Sequence, residues 1–255
     1  MSMNELFSRN ELYWGKDAQN ILKNAHIAVF GLGGVGGFCA ESLARAGIGA
    51  LTIIDFDTVS TSNINRQLIA LHSTVGKSKA KLFKERLLDI NPELKLNVIE
   101  DFYTDKLLSI FESNESNFEF VADAIDTLRS KISLIEQCKK NDIPIISSLG
   151  AGNRIDPTKL YICDIAEIEN KNAPFVSNCI YQLKKIGIET GVTVVASKEK
   201  PFCREKISAK ESIKTKAGEE LEFTKITPAS TPFVASCAGI FMASHIVQEL
   251  IKGTK

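Results

Sequence analysis

A glycine-rich turn near the N-terminus constrains the fold of this 255-residue chain more than any other feature. A short apolar strand is predicted over 26–33, and it runs into Gly-Leu-Gly-Gly-Val-Gly at 31–36, with a helix predicted over 38–46. Glycines in such a turn let backbone N–H groups approach a phosphate, which the positive N-terminal end of the following helix also attracts. A nucleotide contact is therefore predicted for Gly31, Gly33, Gly34 and Gly36. A turn needed only for packing is the alternative.

Strand and helix signals alternate through the first 150 residues. Apolar strands are predicted at 26–33, 50–57, 95–100, 118–125 and 143–150, with helical patterns between them. This spacing predicts an α/β fold with a doubly wound, mostly parallel sheet. The pattern weakens later, where the predictions are strands at 159–165 and 192–197, a helix at 176–186, an exposed lysine-rich loop at 198–225 and a final helix from Phe233.

The chain has no linker-like segment, so one continuous domain is expected over 1–255. Its first half, 1–150, is expected to bind the nucleotide, and its second half, 151–255, to contact substrate and a second subunit. Hydrophobic residues make up 44% and charged residues 24%, which excludes disordered and fibrous classes. Lys and Arg together number 31, as do Asp and Glu, so a nucleic-acid partner must use a local patch.

Cysteine usage and hydropathy indicate a cytoplasmic protein. Six cysteines are scattered without a CxxC pair, which predicts reduced thiols and no zinc. The N-terminal segment does not resemble a signal or transit peptide. The apolar stretch at 233–247 is shorter than the roughly 20 residues that a membrane-spanning helix needs. It is predicted to be a buried helix.

An acidic residue and two cations follow the glycine turn. Asp55 lies 19 residues after Gly36 at the end of the second strand, where a carboxylate can bind ribose hydroxyls. These two features alone leave an NAD-dependent oxidoreductase open. Arg66 in SNINRQ and Lys79 in VGKSK instead suit a triphosphate, because both side chains donate to phosphate oxygens. A surface ion pair for Arg66 and a solvated helix face for Lys79 are the alternatives.

Two carboxylates, Asp123 and Asp126, end the fourth strand in the segment DAID. A carboxylate at the C-terminal edge of a central strand faces the ligand crevice. It can hold Mg²⁺, which binds triphosphates through one or two carboxylates and water. For Asp126, a role as N-cap of the next helix is the alternative.

The segments GLGGVG, IDFD, SNINRQ, VGKSK and DAID together resemble, in order and spacing, the ubiquitin-activating-enzyme-like (E1-like) adenylating family. The resemblance implies a Rossmann-like adenylating domain with a continuous C-terminal extension. It implies that Asp55 binds the ATP ribose and that Asp126 coordinates Mg²⁺. The phosphate contacts that it implies are those of Asn63, Arg66 and Lys79. Arg9, in FSRNELYWG, matches an arginine that the family sends to the γ-phosphate, often from the other subunit of a homodimer; a solvated Arg9 is the alternative.

Within this family the chain is most similar to the tRNA threonylcarbamoyladenosine dehydratases. The shared segments include ALHSTVGKSK, INPE, IDPTKL and TPASTPFVASCAG. This similarity implies ATP-dependent dehydration, by cyclisation, of N6-threonylcarbamoyladenosine at position 37 of tRNA, through adenylation of its threonyl carboxylate. The alternative is adenylation of the C-terminus of a ubiquitin-like sulfur-carrier protein, although such activators generally carry two CxxC pairs. A non-catalytic subunit is disfavoured because Arg66, Lys79 and Asp126 occur in one chain.

A basic segment is the independent sign of a tRNA partner. Residues 181–216 contain nine Lys or Arg and four acids, a net charge of +5 in a chain whose total is zero. Such a patch suits a polyanion approached through its backbone, and a solubilising loop is the alternative. The predicted tRNA contacts are Lys184, Lys185, Lys198, Lys200, Arg204 and Lys206. Some members of the family carry a cysteine in the second half of the chain for sulfur exchange with a partner protein, and the similarity implies such a thiol here. Cys203 is the better candidate and Cys237 the weaker one. For both, a thiol without a role in sulfur exchange is the alternative.

Overall fold

The computed structural model describes residues 5–103, 110–111, 117–171, 173–205, 207–214 and 220–254. The helices are α1 (Ser8–Asn24), α2 (Gly36–Ala46), α3 (Lys79–Ile90), α4 (Leu128–Lys140), α5 (Pro174–Lys185) and α6 (Pro232–Leu250). The strands of the main sheet are β1 (His26–Phe30), β2 (Ala50–Ile54), β3 (Lys95–Ile99), β4 (Phe120–Asp123), β5 (Ile145–Ser148), β6 (Leu160–Asp164) and β7 (Thr193–Ser197).

These strands form one sheet in the order β3-β2-β1-β4-β5-β7-β6. Every neighbouring pair is parallel except β6 and β7, which run antiparallel. The predicted α/β fold with a doubly wound, mostly parallel sheet is confirmed. Strands β6 and β7 come from the second half of the chain, so both halves build the same sheet. The carboxyl ends of the six parallel strands meet at one edge, called here the crevice edge.

Helices cover both faces of the sheet because side chains of a strand alternate between its two sides. In β1, Ile27 and Val29 pack with α1, α2, α3 and α6, whereas Ala28 and Phe30 pack with α4 and α5. All four of these β1 side chains are fully buried. Burial on both faces of the sheet explains why the strands appear in the sequence as nearly continuous apolar runs.

The final helix α6 packs against α2. By length and composition alone it is the one helix among the described residues that qualifies for a membrane span, and 44% of its apolar window is buried inside the protein. An added Cβ at Gly239 would lie 2.1 Å from the carbonyl oxygen of Val35, so the two helices are in backbone contact. Met242 and Ile246 are fully buried on this face, as expected for a core helix.

The segment 198–225 contributes to two paired strands, and its prediction as an exposed loop is wrong in this part. Strands β8 (Ile207–Lys214) and β9 (Glu220–Thr227) pair antiparallel, with Ile207 opposite Thr227 and Lys214 opposite Glu220. They form a separate two-stranded sheet. The lysine content suggested a solvated loop, but strands in a two-stranded sheet need no continuous apolar run.

A buried ion pair joins β4, β5 and α4. Lys131 Nζ lies 2.6 Å from Asp123 Oδ2, and both side chains are fully buried. The Ser147 hydroxyl donates to the same carboxylate oxygen at 2.6 Å and accepts from Lys131 at 3.0 Å. Asp123 therefore belongs to the core, and the prediction that it faces the crevice is wrong. Its other oxygen accepts from the backbone N–H of Ile125 at 3.0 Å, which fixes the chain just before Asp126.

The glycine turn between β1 and α2 is sterically closed. Gly31 has φ +85°, a conformation that side chains rarely adopt. A Cβ at Gly36 would lie 1.7 Å from the carbonyl oxygen of Gly31, which leaves no space for any side chain. At Gly33 the nearest such contact, to Gln67 Nε2, is an ordinary 3.6 Å.

We expect Lys131→Met to lower the free energy of unfolding by about 3–5 kcal/mol, because it leaves the Asp123 carboxylate buried without its cation. Urea denaturation at pH 7 measures this change. Lys140→Met is the control: Lys140 lies on the same helix in an exposed pair with Glu136, and such pairs contribute at most about 1 kcal/mol. Equal, small losses for both variants would contradict a structural role for the buried pair.

We expect Gly36→Ala to destabilise the protein and to abolish nucleotide binding, because the turn must open to admit the methyl group. Gly33→Ala should leave the thermal unfolding midpoint unchanged, since its methyl group meets only ordinary contacts. Any loss of nucleotide affinity in Gly33→Ala then reports the approach of a phosphate to the backbone. Thermal unfolding and ATP titration of both variants check this, and a stable, nucleotide-binding Gly36→Ala protein would contradict the steric account.

Candidate active site

The carboxylate of Asp55 closes the glycine turn at the crevice edge. Its Oδ2 accepts from the backbone N–H of Leu32 at 2.6 Å, and its Oδ1 accepts from that of Asp57 at 2.8 Å. The residue is only 7% exposed. Burial raises the pKa of Asp55, and the positive charge of Lys79 acts in the opposite direction. Each oxygen keeps acceptor capacity beyond its backbone bond, so this carboxylate can still bind a hydroxyl pair.

Lys79 is buried beside the same carboxylate. It is the first residue of α3, and its Nζ donates to Asp57 Oδ2 at 2.8 Å. Its side chain is only 5% exposed, which excludes the solvated helix face considered for it. Ser78 caps the helix by accepting from the N–H of Lys81 at 3.3 Å, so the position of Lys79 is fixed by the helix start.

Arg66 packs directly on the glycine turn. An added Cβ at Gly34 would lie 3.4 Å from Arg66 Cγ. The guanidinium donates from Nη1 to the carbonyl of Ser62 and to Asn65 Oδ1, both at 2.9 Å. Burial lowers the pKa of Arg66, while the nearby carboxylate of Asp126 raises it. The structure therefore brings Arg66, Asp126 and the glycine turn together.

Asn63 shapes the loop that carries Arg66. It is buried at the end of a short 3₁₀ turn, Thr61–Asn63, and its Oδ1 accepts from the backbone N–H of Ser60 at 3.0 Å. Arg66 N–H in turn donates to the Asn63 carbonyl at 3.0 Å. The hydrogen bond between Ser60 N–H and Asn63 Oδ1 thus holds the loop that carries Arg66 in place.

Asp126 is exposed at the crevice edge, three residues beyond the end of β4. The N-cap of α4 is Thr127, so the N-cap role considered for Asp126 is not the one observed. Thr127 Oγ1 contacts Asp126 Oδ1 at 3.4 Å. Asp126 thus carries an accessible carboxylate, close enough for its charge to raise the pKa of Arg66.

Arg9 does not join these residues within one subunit. It lies in the first turn of α1, where the neighbouring Asn10 donates to the carbonyl of Arg45 at 2.9 Å. Phe7 packs at Gly47. Both contacts are at the C-terminal end of α2, an 11-residue helix of about 16 Å whose other end carries the glycine turn. The N-terminal segment is therefore anchored at the edge of the sheet opposite to the crevice.

The predicted basic contacts divide into two groups. Lys198, Lys200 and Arg204 are exposed beyond the carboxyl end of β7, on the crevice edge. Lys184 and Lys185 end α5, which leads into the opposite end of β7. Lys198 pairs with Glu169 at 2.8 Å, Lys184 pairs with Glu189 at 3.2 Å, and Lys185 Nζ lies 4.5 Å from the Tyr181 ring centre. Lys206 lies outside the described residues.

The cysteines differ in their exposure. Burial raises the pKa of the Cys39 thiol to about 12 and that of Cys179 to about 11, so both are protonated core residues. Cys237 is half-buried on α6 against the core. Cys203 is likewise half-buried and lies in the basic segment, where its Sγ donates to the carbonyl of Glu205 at 2.8 Å.

A bridge across the crevice edge was not predicted. The side-chain amide of Asn65 donates to the carbonyl of Ser230 at 2.9 Å. Asn153, after β5, exchanges two hydrogen bonds of 2.7 Å with the backbone of Ala229. Asn153 adopts φ +59°, which asparagine tolerates better than most residues. The sequence Gly-Ala-Gly-Asn at 150–153 was the available sign of a turn here, since it ends in a residue type that favours this conformation.

Comparison with known proteins covers almost the whole chain. A model of the ThiF family matches residues 7–253. The tRNA threonylcarbamoyladenosine dehydratase of Bacillus subtilis (strain 168) is 42% identical over 249 residues, which cover 96% of this chain and 94% of that enzyme. The molybdopterin-synthase adenylyltransferase of Escherichia coli (strain K12) is 33% identical over 140 residues, 55% of this chain and 54% of that enzyme.

Structural similarity extends over the same length. The crystal structure of E. coli tRNA N6-threonylcarbamoyladenosine dehydratase, TcdA, in complex with AMP has a TM-score of 0.83 at 32% identity. The match covers 97% of this chain and 94% of that one. Since the family model spans nearly all of the sequence and the glycine turn, Asp55, Arg66 and Asp126 meet at one edge of the sheet, this chain belongs to the ThiF family.

Proposed function

We propose that this protein uses ATP to cyclise N6-threonylcarbamoyladenosine at position 37 of tRNA, a net dehydration. The observation that carries the proposal is the meeting of Arg66, Asp126 and the glycine turn in a chain that is 42% identical to a tRNA threonylcarbamoyladenosine dehydratase. Adenylation of a sulfur-carrier protein has less support, because the adenylyltransferase similarity covers only 55% of the chain. Hydride transfer to NAD gives no role to a guanidinium packed on the glycine turn.

The ATP contacts follow from the position of each group. Asp55 binds the ribose hydroxyls, as its buried, backbone-fixed carboxylate favours. The glycine turn and the N-terminal end of α2 receive the phosphates. Further phosphate contacts come from Asn63 and Arg66, in the loop that follows β2, and from Lys79 at the start of α3. Lys79 keeps donors beyond its bond to Asp57, because an ammonium group has three.

The chemistry proceeds in two displacements. An oxygen of the threonyl carboxylate attacks the α-phosphorus of ATP, which forms an acyl-adenylate and releases pyrophosphate. The carbamoyl oxygen or nitrogen then attacks the acyl carbon, closes a ring and expels AMP, which retains the carboxylate oxygen. The second attack is intramolecular and benefits from a high effective molarity, so it needs no protein nucleophile. The protein supplies positioning and charge stabilisation, chiefly from Arg66 and Lys79.

Asp126 is proposed to hold Mg²⁺. Among the described residues, no group of three or more His, Cys, Asp or Glu is arranged to hold a metal ion by itself. One exposed carboxylate nevertheless fits, because Mg²⁺ on a triphosphate takes one or two protein carboxylates and completes its coordination with phosphates and water. When bound, Mg²⁺ neutralises charge on the phosphate oxygens.

The active unit is proposed to be a homodimer. Arg9 is anchored near the C-terminal end of α2, away from the crevice of its own subunit. A second subunit is therefore the better source of an Arg9 at the γ-phosphate. The exposed apolar residues Phe233 and Ile240 of α6 offer surface for such an assembly.

Lys198, Lys200 and Arg204 are proposed to contact tRNA phosphates, because they lie on the crevice edge where the adenylate must form. The other proposed tRNA contacts are Lys184 and Lys185, which lie toward the opposite edge of the sheet, and Lys206, which lies outside the described residues. Cys203 is the proposed thiol for exchange with a sulfur-transfer protein, since it lies in the basic segment, whereas Cys237 packs against the core. A reducing, cytoplasmic location is proposed from the free thiols of all six cysteines.

The purified protein, incubated with ATP, Mg²⁺ and tRNA that carries N6-threonylcarbamoyladenosine, should convert that nucleoside to a product lighter by one water. Nucleoside mass analysis and AMP release measure the reaction. Asp126→Asn should abolish AMP formation with an unchanged unfolding midpoint, because the residue is exposed. AMP formation triggered by a carrier protein rather than tRNA would overturn the proposal, and full turnover by Asp126→Asn would remove the metal assignment.

Mixing inactive Arg9→Ala and Asp126→Asn proteins should restore part of the activity. If Arg9 acts across the subunit interface, one of the two sites in each mixed dimer retains both residues. AMP release after subunit exchange, itself verified with two affinity tags, measures the rescue. Exchange without rescue would show that Arg9 acts in its own subunit or has no role.

A further inference from the structure

An exposed aromatic side chain stands at the crevice edge. Phe202 follows β7 by five residues and is 72% exposed. Ile155, in the loop after β5, is 63% exposed. The mechanism described above uses neither side chain. Exposure of a large apolar side chain is common singly, so its surroundings must show whether it has a partner.

The backbone beneath Phe202 is held by several hydrogen bonds. Its N–H donates to the carbonyl of Asn153 at 2.8 Å. The Glu199 carboxylate accepts from the N–H groups of Ile155 and Asp156, at 3.1 and 2.9 Å to Oε2. Arg154, only 7% exposed, donates from Nε to the Glu199 carbonyl at 3.2 Å. Phe202 therefore projects from a tethered rim, formed by residues 152–156 and 199–204.

This rim is connected to the nucleotide site. Asn153 bonds to Ala229, and the next carbonyl, that of Ser230, accepts from the Asn65 side chain. Asn65 Oδ1 in turn accepts from Arg66. Four successive contacts thus lead from Phe202 to the guanidinium proposed to contact ATP. A group bound at the rim lies within reach of the site where the adenylate forms.

Two cations near Phe202 suit a nucleic-acid backbone. Lys200 and Arg204, both exposed, lie two residues before and two residues after Phe202 in the sequence. Alternating cations and an aromatic ring suit single-stranded nucleic acid, whose phosphates meet the cations while an unpaired base stacks on the ring. A duplex offers phosphates but no free base face.

We propose that Phe202 is a stacking platform for an unpaired base of the tRNA anticodon loop, with Lys200 and Arg204 on the adjoining phosphates. This inference rests on the proposed function and specifies how its RNA substrate is held. Stacking at the rim orients the modified adenosine so that its threonyl carboxylate enters the crevice. The contact is independent of ATP, because the nucleotide is bound by the first half of the chain.

The test is the affinity for an anticodon stem-loop RNA carrying N6-threonylcarbamoyladenosine, measured by fluorescence anisotropy over a salt series. Phe202→Ala should weaken binding by about 5- to 100-fold with an unchanged salt slope, because it removes a stacking contact and no cation. Phe202→Tyr should bind within about twofold of the original, since it keeps the aromatic face. Lys200→Ala should lower the salt slope by roughly 0.7–1. Duplex RNA of equal length should bind Phe202→Ala and the original protein equally.

Tyr13→Ala is the matched control variant. Tyr13 is an 87% exposed aromatic residue on α1, whose first turn contacts the C-terminal end of α2 at the edge opposite to the crevice, and its replacement should leave stem-loop affinity unchanged. Unchanged stem-loop affinity of Phe202→Ala, or an equal loss in Tyr13→Ala, would overturn the stacking proposal. If the original protein cyclises the tRNA while Phe202→Ala binds normally, only the stacking inference fails. If the original protein neither binds nor cyclises this RNA, the proposed function fails with it.

Discussion

The contact between Gly36 and the carbonyl of Gly31 is the constraint on which the rest of the site depends. Because Gly36 has no side chain, the backbone can approach Gly31 this closely. Helix α2 therefore begins only six residues after β1, with its N-terminal end at the crevice edge. Other elements are built onto this turn. Asp55 accepts from Leu32 within it, Arg66 packs on Gly34, and α6 contacts its last residues through Gly239. A backbone this close to three neighbours has its N–H groups arranged before any phosphate arrives.

The cations of the crevice lie close to opposite charges of the protein itself. Lys79 is paired with Asp57, and Arg66 lies near Asp126. A buried ammonium group without an acidic partner would destabilise the fold. In the proposed ATP complex, triphosphate oxygens would replace these acids as partners of the same cations. The free energy gained on binding would then be smaller than the attraction between cation and phosphate alone, and Mg²⁺ at Asp126 would reduce the repulsion between that carboxylate and the phosphates.

Much of this arrangement could be predicted from the sequence because local patterns determine it. The order of apolar strands and helices indicated the doubly wound sheet, and strand ends indicated Asp55 and Asp126. Asp123 could not be separated from Asp126 in this way, since the two carboxylates share one strand end and only the position of Lys131 on α4 decides which is neutralised in the core. Strands β8 and β9 were missed because lysine content outweighed the alternation in ELEFTKIT. The distance of Arg9 from its own crevice depends on how α1 packs, which no local pattern specifies.

Strand direction explains why one basic run of the sequence becomes two surfaces. Strand β7 is parallel to β5, so its carboxyl end lies with those of β1, β2 and β4 at the crevice edge. Residues that follow it, Lys198 to Arg204, are carried to the crevice edge. Residues that precede it, Lys184 and Lys185 at the end of α5, are carried to the opposite edge, about 16 Å away for a five-residue strand. If β7 ran antiparallel, as β6 does, the two groups would exchange places, and the aromatic ring of Phe202 would lie far from the carboxylate that the reaction must activate.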